Sequence, residues 1–256
     1  MGVVNVTPDS FSDGGKFFDG KAAISHARHL AEEGADIIDV GGESSRPGAL
    51  PVSVQQELDR VLPVLEGLKD LDKPISVDTR RPQVMQAALS AGASMINDIE
   101  ALQSPGALEV VAKSQCAVCL MHMKGEPATM QRDPHYDDVV AEVRRFLDER
   151  AVACEQTGIA RKRIAIDPNF GFGKTAAHNF ELLRRLPELG QLGLAVAAGW
   201  SRKSTLGKLT GRAADDRLAG SLAAALLALQ GGATILRVHD VRETRDVIAV
   251  WQAWRA

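Results

Sequence analysis

The chain has 256 residues, 45% apolar and 25% charged, with a single Tyr and three Cys, which excludes a disordered chain and a disulfide-stapled scaffold. A net charge of −3, with no Lys/Arg run longer than Arg161-Lys-Arg163, leaves no electrostatic footprint for nucleic acid or an anionic membrane. No apolar run approaches the ~20 residues of a bilayer span, and Met1 leads directly into Val3-Val-Asn-Val6 without a signal-peptide pattern, so the expectation is a cytoplasmic protein whose partners are small molecules.

In chain order, short apolar runs bounded by turn residues predict strands at 3–6, 36–41, 74–77, 94–97, 116–121, 163–166, 194–199 and 234–238. Amphipathic spacing predicts helices between them, among others at 22–33, 54–68, 136–157 and 217–230, with Gly34, Gly92, Gly158 and Gly231 closing their helices. Strand followed by helix, repeated eight times without a linker, is the pattern of an α/β protein. The strand count favours one closed (β/α)8 TIM barrel domain over 1–256 rather than an open doubly wound sheet. Two βα loops, 7–20 and 42–52, are long and rich in Pro, Gly, Ser and Asp. Loops of that length are often functional, and here they suit lids carrying Phe11 and Arg46.

The strands run into polar residues: Asn5, Asp39, Asp78, Asn97, His122, Asp167, the Ser201-Arg202-Lys203 group, and Arg237 with His239. In a barrel these ends converge on the catalytic face. Polar residues also cap strands and begin helices for purely structural reasons, but such capping does not account for all eight. Ser201-Arg-Lys-Ser204 beside Arg237 and His239, which are two apart and so share a strand face, predicts an anion site for a phosphorylated substrate. Asp78, Asn97 and Asp167 predict a second cluster, for a heterocycle whose N–H edge a carboxylate accepts or for a divalent metal.

Two motifs invite misreading. Cys116 and Cys119 form C-x-x-C, but residues three apart on a strand face opposite ways and no second pair completes a zinc site, so with Cys154 they are expected to be core thiols. Gly171-Phe-Gly-Lys-Thr175 mimics the end of a phosphate-binding P-loop, yet Pro168 stands where that motif needs glycine. Its glycines suit backbone lying close to a flat ligand, with Phe172 available to stack on it.

The segments N-V-T-P-D-S-F-S-D-G-G (5–15), I-D-V-G-G-E-S-S-R-P-G (38–48), S-V-D-T (76–79), I-N-D (96–98), L-M-H-M (120–123), 167–174, S-R-K-S (201–204) and R-V-H-D-V (237–241) together resemble the dihydropteroate synthases, a family of pterin-binding barrels and the target class of sulfonamides. The resemblance implies a transferase that condenses 6-hydroxymethyl-7,8-dihydropterin diphosphate with p-aminobenzoate and releases pyrophosphate, through early C–O cleavage and a pterin cation. It implies pterin binding by Asp78, Asn97, Asp167, Lys203 and Phe172. The p-aminobenzoate would be surrounded by Phe11, Ser45, Arg46, Pro47, Phe172 and Ser204. Phosphates would be bound by Asn5, Arg46, Arg237 and His239, and Mg²⁺ by Asn5. Catalytic roles fall to Asp39, Lys203, Arg237 and His239, while His122 has at most a supporting one; a homodimer is also implied.

Three positions depart from the family pattern. Ser45 replaces a usual Thr, Asn169 a usual Gly, and Met1 directly precedes the first strand, where a short N-terminal extension is usual. A pterin-binding methyltransferase would share the pterin carboxylates but has no use for paired anion groups at strands seven and eight. A non-catalytic pterin-binding homologue could dispense with Asn5, Arg46 or Lys203, all of which are present.

Overall fold

The computed structural model describes residues 1–7, 20–44, 50–126 and 129–256. Eight strands, β1 (Gly2–Asn5), β2 (Ile38–Gly41), β3 (Ile75–Asp78), β4 (Met95–Asp98), β5 (Ala117–Met121), β6 (Ile164–Asp167), β7 (Ala195–Ala198) and β8 (Ile235–Leu236), pair in parallel in chain order. The sheet closes on itself. Val3 N–H donates to the Val238 carbonyl at 3.0 Å and Val238 N–H to the Met1 carbonyl at 2.9 Å, so the end of β8 meets β1.

Parallel neighbours require crossovers. These run through α1 (Gly20–Glu32), α2 (Val54–Gly67), α3 (Pro82–Ser90), α4 (Ala107–Ala112), α5 (Val139–Gln156), α6 (Ala176–Arg184), α7 (Leu186–Gly190), α8 (Ser204–Thr210) and α9 (Leu218–Gln230), and α10 (Val241–Arg255) follows the last strand. Ser53 starts α2 with a capping box to Gln56, and Asp138 starts α5 by accepting from Val140 and Ala141 N–H, satisfying donors that a helix leaves free at its N-terminus.

Strand alternation sorts the core into two compartments. Val4, Val40, Val77, Ile96, Val118, Ile166 and Val196 point outward into the apolar layer beneath the helices. Met95, Cys119, Ala165 and Ala197 point inward and fill the barrel. The C-x-x-C cysteines are divided accordingly, Cys116 in the outer layer and Cys119 inside the barrel. All three thiols are free and buried.

Several boundaries differ from the expected ones. β8 is two residues long rather than five, and Arg237 and His239 follow it. α5 begins at Val139, not at position 136, because Asp138 caps it. Gly34, Gly92 and Gly158 adopt left-handed conformations after their helices as expected, but after α9 that role belongs to Gly232 at φ 93° rather than to Gly231. Asp39 is not a strand end. It lies within β2 in register with Val3 and Ser76, while Gly41 pairs with Asp78, which places Asp39 one layer deeper and wholly buried.

Candidate active site

At the C-terminal mouth, β1 ends in Asn5, half-buried and in register with Gly41. The next strands bring Asp78 level with Asn97. Arg237, just past β8, reaches across the mouth: its Nε donates to Asp39 Oδ2 at 2.7 Å and its Nη2 to Asp78 Oδ2 at 2.9 Å. Asn97 Nδ2 also donates to Asp39 Oδ2, at 3.3 Å. Asp39 Oδ1 is buried without a hydrogen-bond partner among the described residues.

Burial raises the pKa of Asp78 towards 7, against the pull of Arg237 and with the help of the Asp39 charge. Burial likewise raises that of Asp167, opposed by the Asn169 N–H, 2.6 Å from Oδ1, and by the Lys203, Arg237 and Lys174 charges. The two flanking carboxylates keep the Arg237 guanidinium charged. The mouth thus sets three carboxylates, Asp39, Asp78 and Asp167, against the cations Arg237 and Lys203, while burial holds the Lys174 pKa well below its ordinary value. Neutralisation of this kind is what makes charges tolerable away from water.

The β6–α6 loop forms one wall. Lys203 Nζ lies over the Phe172 ring, 4.2 Å from its centroid, at cation–π distance. Asn169, where the resembled family has glycine, takes φ 52°, a conformation Asn tolerates better than other side chains. Gly173 is required as glycine: at φ 64° a Cβ would sit 2.4 Å from the Lys124 carbonyl oxygen.

Beside it, Ser201 Oγ lies 3.0 Å from His239 Nδ1 and accepts the His239 N–H at 3.2 Å, tying the seventh and eighth loops together. The anion cluster read from the sequence is therefore divided: His239 meets Ser201, while Arg237 turns to the carboxylates. Arg202, at φ 58°, points away to Asp240. Ser204 begins α8 and is exposed. Phe11, Ser45, Arg46 and Pro47 lie outside the described residues.

His122 does not belong to the mouth. It is buried, edge-on to Phe146 at 5.0 Å between ring centroids, and its Nδ1 lies 3.0 Å from Lys174 Nζ. Burial and the Lys174 charge push its pKa down to about 2, so the ring is neutral. Two features were missed in the sequence. They are Lys174, at the end of the segment that mimics a P-loop, and Asp98, next to Asn97, which accepts from Glu100 N–H at 2.8 Å and Leu102 N–H at 2.7 Å.

A closed barrel with a polar mouth of paired charges at its strand C-termini defines an enzyme architecture for small polar substrates. Residues 1–239 match the family model of pterin binding enzymes, and the chain belongs to that family. Its relatives include the dihydropteroate synthase of Escherichia coli K12, 51% identical over 99% of this chain and 90% of that protein, and that of Haemophilus influenzae, 50% identical over 99% and 92%. Among solved structures, dihydropteroate synthase of Xanthomonas albilineans with 4-aminobenzoic acid is 56% identical with a TM-score of 0.94, over 100% of this chain and 92% of that one. The Yersinia pestis enzyme with a sulfonamide drug is 48% identical with a TM-score of 0.95, over 100% and 93%.

Proposed function

We propose that the chain is a dihydropteroate synthase. The amine of p-aminobenzoate displaces pyrophosphate from the methylene carbon of 6-hydroxymethyl-7,8-dihydropterin diphosphate: a C–N bond forms, a C–O bond breaks, and the amine gives up a proton to solvent. The observation that carries this reading is the convergence of Asp78, Asn97, Asp167 and the Phe172–Lys203 pair on the mouth spanned by Arg237, in a chain half identical along its length to dihydropteroate synthases.

Carboxylates accept and do not donate, so Asp78 and Asp167 suit the N–H groups of a 2-aminopyrimidinone ring, with Asn97 free to donate or accept. Lys203 over Phe172 bounds a slot for a flat ring. Arg237 uses Nε and one Nη2 hydrogen on the carboxylates, which leaves three N–H groups for phosphate oxygens; His239 stands beside Ser201 for the same anion. Asp39, charge-paired on Oδ2 and unpartnered on Oδ1, places a fixed negative charge where positive charge would develop on the pterin as the C–O bond breaks. Ser204, and by resemblance Phe11, Ser45, Arg46 and Pro47, would receive p-aminobenzoate.

Among the described residues no group of three His, Cys, Asp or Glu could hold a metal. Asn5 offers one amide oxygen, a hard donor that would hold Mg²⁺ entering with the diphosphate. Bound there, the ion neutralises charge on the leaving pyrophosphate. By resemblance the enzyme acts in the cytoplasm as a homodimer; among the described residues no helix is long and apolar enough to cross a membrane.

The test is a pyrophosphate-release assay on the pterin diphosphate, with and without p-aminobenzoate and Mg²⁺, with dihydropteroate identified by mass. Stoichiometric dihydropteroate and pyrophosphate support the reading; pterin binding without turnover makes the chain a binding protein.

A further inference from the structure

Lys174 is 3% exposed, and a lysine is rarely enclosed without a set of acceptors. Its Nζ donates to the carbonyls of Phe172 at 2.9 Å, Asn169 at 3.3 Å and His122 at 3.4 Å, and lies 3.0 Å from His122 Nδ1. His122 belongs to the end of β5, whereas Asn169 and Phe172 bracket the turn after β6, closed by Phe172 N–H donating to the Asn169 carbonyl at 3.2 Å. One nitrogen therefore joins two strand ends from inside the barrel wall. On the outer side of the same turn, Lys203 rests on the Phe172 ring at 4.2 Å, and a Cβ at Gly171 would lie 3.6 Å from Lys203 Cδ. The loop backbone is thus held between two lysines, one buried and one facing the mouth.

We propose that Lys174 is a positioning residue for the pterin slot: its bonds to the Asn169 and Phe172 carbonyls fix the Phe172 ring and, through it, the Lys203 ammonium. The inference rests on the pterin reading above. Lys174 touches no substrate; it acts through Phe172 and Lys203. A displacement of about 1 Å in such a wall is enough to cost much of the binding of a flat ligand. By resemblance Phe172 also touches p-aminobenzoate, but Lys203 serves the pterin alone and the other p-aminobenzoate contacts lie elsewhere, so the larger effect falls on the pterin.

Lys174→Met keeps an unbranched, flexible side chain, one atom shorter, and removes the donors. The test measures kcat and both KM values for wild type, Lys174→Met and Lys174→Gln, which retains an amide donor, with thermal melts to count folded enzyme. The expected result is a KM for the pterin diphosphate raised about tenfold in Lys174→Met, a KM for p-aminobenzoate changed less than about twofold, and partial recovery in Lys174→Gln. If Lys174→Met does not fold, the selective rise in pterin KM is read from Lys174→Gln. Equal changes in both KM values, or a loss of kcat matching only the loss of folded enzyme, overturn the inference while leaving the function intact. A wild type that does not turn over the pterin diphosphate overturns the functional reading and this inference together.

Discussion

Arg237 Nη2 donates to Asp78 Oδ2 at 2.9 Å, joining residues 159 positions apart. Burial, helped by the Asp39 charge, drives the Asp78 carboxyl towards its neutral form and Arg237 opposes it, so the arginine holds Asp78 in the state that accepts two N–H groups. Catalytic efficiency with the pterin diphosphate should therefore fall as pH drops through about 7. Arg237→Met should move that acid limb to higher pH in addition to slowing turnover. Stability should move the other way: a carboxyl raised in the fold stabilises it fully below its unfolded pKa and loses that contribution as pH rises through its folded value. Melting of Asp78→Asn against wild type from pH 4 to pH 8 checks this, with the wild type losing ground as pH rises.

Asn169 carries the strain that the family's glycine avoids. It sits at φ 52° with its buried Nδ2 unpartnered among the described residues. Asn169→Gly should keep activity within about twofold and stability within about 1 kcal/mol, since relief of strain and loss of unfolded-chain stiffness offset each other. Asn169→Val should cost about 2 kcal/mol or more, because a β-branched residue is a poor fit to this backbone. Chemical denaturation distinguishes the two.

Asp98 holds a turn in which Ala101 and Leu102 have φ 51° and 58°. Its two oxygens accept the Glu100 and Leu102 N–H groups, so Asp98→Ala should cost about 2 to 4 kcal/mol through lost bonds and unrestrained left-handed residues. The KM values of whatever folds should be near wild type, which sets Asp98 apart from its neighbour Asn97.

Cys116, Cys119 and Cys154 are all buried, and burial raises the Cys119 thiol well above its ordinary pKa. A thiol reagent should label none of them in the native protein and all three after unfolding, and zinc should bind without stoichiometry.

The barrel was legible because strands covered on both faces read as short apolar runs punctuated by turn residues. Asp78, Asn97 and Asp167 were legible because polar residues ending such runs have little structural reason to recur. Register was not legible: Asp39 reads like a strand end yet lies a layer lower, a difference set by the pairing of β2 with β1 and β3. Nor could the sequence reveal that Arg237 serves the carboxylates, a pairing that barrel closure alone creates. Lys174 follows G-F-G as a surface lysine might, and only the carbonyls gathered around it in three dimensions distinguish it.

The central claim is that this mouth binds a pterin diphosphate and releases its pyrophosphate to an aromatic amine. Pyrophosphate release measured for wild type and Lys203→Ala, with melting curves for both, tests it most directly. The account predicts p-aminobenzoate-dependent release by the wild type, and in Lys203→Ala a fall of at least about a hundredfold in kcat/KM for the pterin with the fold intact. Release by Lys203→Ala at the wild-type rate, or none by the folded wild type, would contradict it.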